Sequence, residues 1–154
     1  MKTRLIQGSD EHVDGCATFY RRDKWRRVFG VMNRFSLLGS MDIRFNDQAD
    51  ARLERGEISA VQCQRLKRGN IAHLLQLAYY HTPSKNFKTW FNLIDASPIN
   101  FYLCNSHLFW DPNFNDVKLV QTFDLLQQIQ SVMRQLPLPL VLCGDFNSEP
   151  SSAV

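Results

Sequence analysis

No stretch of the 154 residues approaches the roughly 18 consecutive apolar positions of a membrane-spanning helix, and the polar start Met1-Lys2-Thr3-Arg4 leads into no signal-peptide core. A membrane partner and a secretory leader are therefore not expected. The four cysteines, Cys16, Cys63, Cys104 and Cys143, form no C-x-x-C pair, which excludes a readable zinc knuckle or redox motif. Each sits among apolar neighbours, so reduced, buried thiols in an intracellular protein are expected, with the cytoplasm as the default compartment and the nucleus also open. There is no polybasic tract. The formal charge is only +3, and basic residues occur in short groups such as Arg21-Arg22, Arg26-Arg27 and Lys67-Arg68. That balance tolerates a polyanionic partner without demanding one. Internal repeats and low-complexity segments are also missing, which leaves one ordinary globular unit with an average apolar content.

What is there reads as alternating α and β structure. Gly15 to Tyr20 and Trp25 to Phe35 suggest two strands around a turn at Arg22-Asp23-Lys24. From Ser36 to Arg68 the pattern degrades into charge, which predicts a mobile connector with one short helix about Ile58 to Leu66. Asn70 to Tyr80 is nearly continuous in apolar character and suits a buried strand. Phe87 to Ile94 and Ile99 to His107 read as two more strands. Between Asp116 and Leu136, Val117, Val120, Phe123, Leu126, Ile129 and Val132-Met133 recur at helical spacing, and Pro137 stops the helix. Leu138 to Cys143 then reads as a short, fully buried strand of an α/β sandwich.

Two of these strands finish in polar residues. Asp145 and Asn147 follow the run ending at Cys143, and residues two apart on an extended chain project to one side. Gly144 lets the backbone turn sharply or approach a ligand closely. An aspartate at a strand end is a suitable ligand for a hard cation such as magnesium, and the amide beside it can bind a phosphate oxygen. His107, ending the other strand, can donate to charge developing on a phosphate. On pattern alone, Gly-Asp-Phe-Asn is equally a turn and His107 equally a structural hydrogen-bonder, so spacing leaves the function open.

The words themselves narrow it. Asn105-Ser106-His107-Leu108-Phe109-Trp110-Asp111-Pro112, Asp116-Val117-Lys118-Leu119-Val120-Gln121 and Leu142-Cys143-Gly144-Asp145-Phe146-Asn147-Ser148-Glu149-Pro150 resemble the catalytic domain of the carbon-catabolite-repressor type deadenylases. These are members of the endonuclease/exonuclease/phosphatase, or DNase I-like, superfamily. His12-Val13-Asp14-Gly15-Cys16-Ala17-Thr18-Phe19-Tyr20 and Asn70-Ile71-Ala72 match the same family in the same order. The resemblance implies an α/β sandwich of two packed sheets flanked by helices, and magnesium-dependent 3′-to-5′ removal of adenylates from the poly(A) end of messenger RNA. It implies that Asp145 binds metal and orients the attacking water, that Asn147 holds the scissile phosphate and that His107 polarises it. Pro112 is expected near the terminal adenine. Trp110 is expected to shape that pocket from behind, packed in the core rather than stacked on a base, and Asn70 to tie loops together near the site.

The resemblance covers residues 1–154 as a central portion of the family's domain. The family's metal-binding glutamate and its closing Ser-Asp-His element have no counterpart here, and Glu11 and Glu149 read as solvated surface residues. Losing either kind of group commonly lowers the rate on the order of a hundredfold. A non-catalytic remnant that binds RNA or a partner is accordingly the alternative, with a nocturnin-like phosphodiesterase as a further one. Leucine-rich repeats, the family's usual means of docking into its deadenylase complex, are not visible in the sequence.

Overall fold

The computed structural model describes residues 2–7, 15–20, 25–27, 30–32, 35–80 and 97–151, and the side chains of 15–19, 35–80 and 97–151. The apolar run at Ile71–Tyr79 forms strand β6, buried at seven of its nine positions, as a strand covered on both faces must be. It lies inside a four-stranded sheet of order β5-β6-β7-β8. β5 (Phe35–Arg44) pairs antiparallel with β6, with a register slip between Leu37 and Gly39. β7 (Ile99–His107) pairs antiparallel on the other side, setting Ile71 opposite His107. β8 (Leu140–Asp145) runs parallel to β7 at the sheet edge.

A parallel pair needs a long crossover, and the helical periodicity supplies it in α3 (Asn115–Gln135). Val117, Leu125 and Ile129 of α3 are buried, and Leu125 and Ile129 pack with Ile43, Phe45, Ala72, Leu74, Tyr102, Cys104 and Leu108. Full burial of one such leucine contributes about 2 kcal/mol. The opposite sheet face carries β2 (Gly15–Tyr20), itself paired antiparallel with β1 (Lys2–Gln7). Cys16 packs there on Ile71, and Asn105 Nδ2 donates to the Ala17 carbonyl at 3.1 Å. A small two-stranded pair, β3 (Trp25–Arg27) and β4 (Gly30–Met32), is separate in its hydrogen bonding. Among the described residues no helix is long and apolar enough to cross a membrane.

Several expectations are met residue for residue, and others are corrected. Ile99 to His107 is a strand as expected, and the helix ends within a residue of its expected limits. The connector expected from Ser36 to Arg68 is instead regular: β5, then α1 (Phe45–Glu54) and α2 (Ala60–Leu66). α1 buries only Phe45 and Ala49, one turn apart, so its apolar stripe is too narrow to read through the surrounding charge. That charge is structural: Arg52 pairs with the buried Asp124 of α3, and Lys67 Nζ holds Asp50 at 2.9 Å. The helix expected about Ile58 is α2, started by Ser59 and Gln62 in a reciprocal cap. Trp25 to Phe35 is not one strand but β3, β4 and the first residue of β5. The expected turn at Arg22 to Lys24 and strand at Phe87 to Ile94 lie outside the described residues. β8 is not fully buried; as an edge strand it leaves Val141 48% and Leu142 41% exposed.

Candidate functional site

β7 and β8 end together. Their parallel register sets His107 beside Asp145 and Ser106 beside Gly144. Residues in register on neighbouring strands point to one face, so the imidazole and the carboxylate leave the sheet side by side, on the face of Asn105 and away from Cys104 and α3. The Leu108 N–H donates to the Asp145 carbonyl at 3.0 Å, which carries the ladder one residue beyond the strand end. Gly144 has φ +137°, and a Cβ there would lie 1.9 Å from the Ser106 carbonyl oxygen. The close approach anticipated for this glycine is thus to the neighbouring strand's backbone.

Past Asp145 the chain leaves the extended conformation: Asn147 has φ 47°. Its N–H donates to Asp145 Oδ1 at 2.9 Å, and its Nδ2 donates to the Leu108 carbonyl at 2.8 Å. Asp145 and Asn147 are therefore brought together by an aspartate-capped turn rather than by strand alternation. Sequence reasoning missed Lys118, a buried lysine on α3 whose Nζ donates to the Asn147 carbonyl at 3.0 Å. Lys118 shares the buried face of α3 with Gln121 and Asp124, so no break in an apolar pattern marked it.

A second set of bonds fixes the strand end from the other side. Asn70 Nδ2 donates to the His107 carbonyl at 3.1 Å, and Asn70 Oδ1 accepts from Gln121 Nε2 at 3.2 Å. Gln121 Oε1 in turn accepts from the Phe109 N–H at 3.0 Å. Asn70 has the structural role expected near the site, but it ties the end of β7 to α3 rather than loop to loop, and the buried Gln121 is the partner that sequence reasoning overlooked.

Beside His107 opens a cavity of about 100 Å³, lined by Gly15, Arg68, Gly69, Asn70, Ile71, His107, Phe109 and Trp110. Trp110 is 66% exposed, which corrects the expectation that it packs in the core. It lies beyond the strand end, two residues after buried Leu108, and its ring meets Phe109 at 6.1 Å between centroids. Pro112 begins a short 3₁₀ turn, Pro112–Phe114, capped by the Asp111 carboxylate accepting from the Asn113 N–H at 2.9 Å. It is exposed and does not line the cavity, nor do Asp145 and Asn147. The anticipated residues other than Pro112 thus fall into two neighbouring groups that share His107: the Asp145–Asn147 turn and the Trp110 cavity.

Asp145 has the oxygen chemistry that magnesium prefers. Among the described residues, however, no three histidine, cysteine, aspartate or glutamate side chains cluster to hold a metal ion, and one carboxylate alone does not make such a site. Behind the sheet end, burial pushes the Cys16 thiol up and the Cys104 thiol up to about 12, so both stay protonated. Cys16, Cys63 and Cys104 are buried as expected, but Cys143 is exposed because its strand is the sheet edge.

No protein-family model matches the chain. In an alignment 152 positions long that covers 92% of this chain, it is 30% identical to the CCR4-Not complex 3′-5′-exoribonuclease subunit Ccr4 of Kluyveromyces lactis, and it spans 16% of that protein. It is 31% identical over 157 residues to carbon catabolite repressor protein 4 homolog 2 of Arabidopsis thaliana, covering 97% of this chain and 23% of that one. The chain thus spans less than a quarter of the length of these two relatives. Among solved structures, ANGEL2, a 2′,3′-cyclic phosphatase in complex with adenosine-2′,3′-vanadate, matches with a TM-score of 0.61 and 26% identity, over 98% of this chain and 34% of that one. The human Nocturnin catalytic domain with bound sulfate shares the fold at a TM-score of 0.61 and 21% identity, over 98% of this chain and 44% of that one.

Proposed function

Since this chain is a homologue of Ccr4-type exoribonuclease subunits along most of its length, with the DNase I-like mixed α/β fold, we propose that it carries the central part of a 3′-to-5′ exoribonuclease domain acting on poly(A) RNA. The observation that carries this reading is the register of β7 and β8, which sets His107 and Asp145 side by side at a shared strand end. His107 donates to a non-bridging oxygen of the scissile phosphate, where charge builds as the bond breaks. Asp145 accepts a hydrogen bond from the attacking water and orients it. Asn147 holds the Asp145 carboxylate through its own N–H, and Lys118 holds Asn147 in turn, so the acceptor is fixed before substrate arrives. Trp110 offers an exposed aromatic face to a base, with Pro112 opening the turn that follows.

Magnesium dependence belongs to this proposal, with Asp145 as one oxygen ligand. The described residues do not complete a magnesium site, and no step above runs through one. The same observation, together with the small share of the relatives that is spanned, supports reading the chain as residues 1–154 of a partial domain. It also gives the second reading its footing: a non-catalytic piece that binds RNA. A nocturnin-like phosphodiesterase activity is the reading that the shared fold keeps in view. The proposal carries a cytoplasmic and nuclear site of action, with the relatives' CCR4-Not complex as the candidate assembly.

A gel assay of the purified chain on 5′-labelled oligoadenylate with magnesium tests it. The expected result is stepwise shortening that Asp145→Ala abolishes. Retained RNA binding without shortening would replace it with the binding reading, and absence of both would remove the nucleic-acid assignment.

A further inference from the structure

We propose that Arg68 and Trp110 form a second nucleotide subsite beside His107, in which Arg68 takes a phosphodiester next to the scissile one and Trp110 stacks on the attached base. This rests on the nucleic-acid reading above and adds Arg68, which in the sequence stands only as half of the basic pair Lys67-Arg68. Two arginines near the cavity make the contrast. Arg65 lies 4.3 Å from the Phe114 ring centroid, and its charge is neutralised by Asp116 in a two-pronged bond at 2.7 and 3.0 Å. Arg68 lies over the rings of Phe109 at 5.2 Å and Phe114 at 4.4 Å, yet it has no carboxylate partner among the described residues, and its Nε is buried with no hydrogen bond.

Aromatic rings satisfy the face of a guanidinium but not its in-plane N–H groups, which remain directed donors for an anion. Those donors belong to a residue lining the cavity that His107 and Trp110 also line. Arg68 and Trp110 line the same cavity, which sets a phosphate donor and an aromatic face side by side. Trp110, 66% exposed at the rim, is placed to receive the base. A stacked, desolvated arginine is held ready for bidentate phosphate recognition, and an exposed tryptophan accepts any base by its π face.

Fluorescence anisotropy of the full chain with a 5′-labelled oligoadenylate, read across a range of salt concentrations, tests this. Arg68→Gln should reduce the slope of log affinity against log salt by about 0.7, the value for one phosphate contact on a single strand. Arg68→Lys should keep the slope and bind more weakly, and Trp110→Ala should weaken binding about tenfold with the slope unchanged. With an abasic oligonucleotide of the same length the Trp110→Ala effect should vanish while the Arg68→Gln effect persists. An Arg68→Gln protein with wild-type slope and affinity overturns the subsite, as does a wild-type chain that does not bind the oligonucleotide. Should Arg68→Gln fail to fold, unchanged affinity in both Arg68→Lys and Trp110→Ala overturns it instead. Shortening of oligoadenylate by wild type with no Arg68 effect would remove this subsite alone. Arg68-dependent binding without shortening would remove the nuclease reading alone.

Discussion

Replacing Gly144 by alanine should separate β8 from β7 where the two candidate groups meet. The added Cβ would sit 1.9 Å from the Ser106 carbonyl oxygen, 2.8 Å from its nitrogen and 2.9 Å from its carbonyl carbon, all backbone atoms that cannot rotate aside. The φ of +137° is itself a glycine conformation, costing a side-chain-bearing residue about 1–3 kcal/mol. Gly144 is exposed, so the clash is with the neighbouring strand's backbone alone, and pushing that backbone aside to admit the carbon costs, on the scale of overpacking, about 1–3 kcal/mol more. A loss of about 2–6 kcal/mol follows, a large share of the roughly 5–15 kcal/mol that holds a typical domain. In a thermal melt this corresponds to a drop of about 4–24 °C, taking about 2–4 °C per kcal/mol for a chain of this size. Gly56→Ala is the internal control: φ is +72° but nothing lies within 4 Å, so only the backbone strain of about 1–2 kcal/mol applies. Should Gly144→Ala melt within a few degrees of wild type, or no lower than Gly56→Ala, the close strand contact and the site geometry built on it are wrong.

Other outcomes follow from the same geometry. Alkylation at neutral pH followed by peptide mass spectrometry should label Cys143 first, since the other three thiols are buried and the Cys104 thiol is pushed up to about 12. Lys67 holds the Asp50 carboxyl below its ordinary value of 3.8. A depressed carboxylate stabilises the fold above its unfolded value and loses that contribution as pH falls through the folded one. The melting temperature of wild type should therefore fall more steeply below about pH 4 than that of Asp50→Asn, by a small amount that added salt reduces. Gln121→Leu leaves the Phe109 N–H and the Asn70 side-chain carbonyl without their partner and should cost about 3 kcal/mol. A lower urea midpoint with an unchanged slope would report it.

The elements legible in the sequence were those whose pattern repeats. β6 announces itself because burial on two faces writes a continuous apolar run, and α3 by its 3.6-residue recurrence, although Phe123 and Leu126 of that pattern are exposed and the buried face carries Lys118, Gln121 and Asp124. β5 and α1 did not, because their contacts are narrow and their charges serve pairs such as Arg52 with Asp124, formed across 72 residues of sequence. The strand ends at His107 and Asp145 were readable as polar finishes to apolar runs, but their adjacency is a property of register, which no local pattern encodes. Trp110 was misjudged since large aromatics are mostly buried, whereas this one follows the strand into the surface loop. Arg68 was hidden inside the pair Lys67-Arg68 and looked like ordinary surface charge. The ring of Phe109, distant in sequence, and the carboxylate partners held by Arg65 and Lys67 are what distinguish it from them.

A double-mutant cycle on oligoadenylate affinity in magnesium, using His107→Ala, Asp145→Ala and the combined variant, tests most directly whether the two strand ends form one site. A coupling of about 0.5–3 kcal/mol between them is expected, as for groups that share a ligand. Effects that simply add, to within about 0.5 kcal/mol, would mean that the imidazole and the carboxylate do not serve the same phosphate.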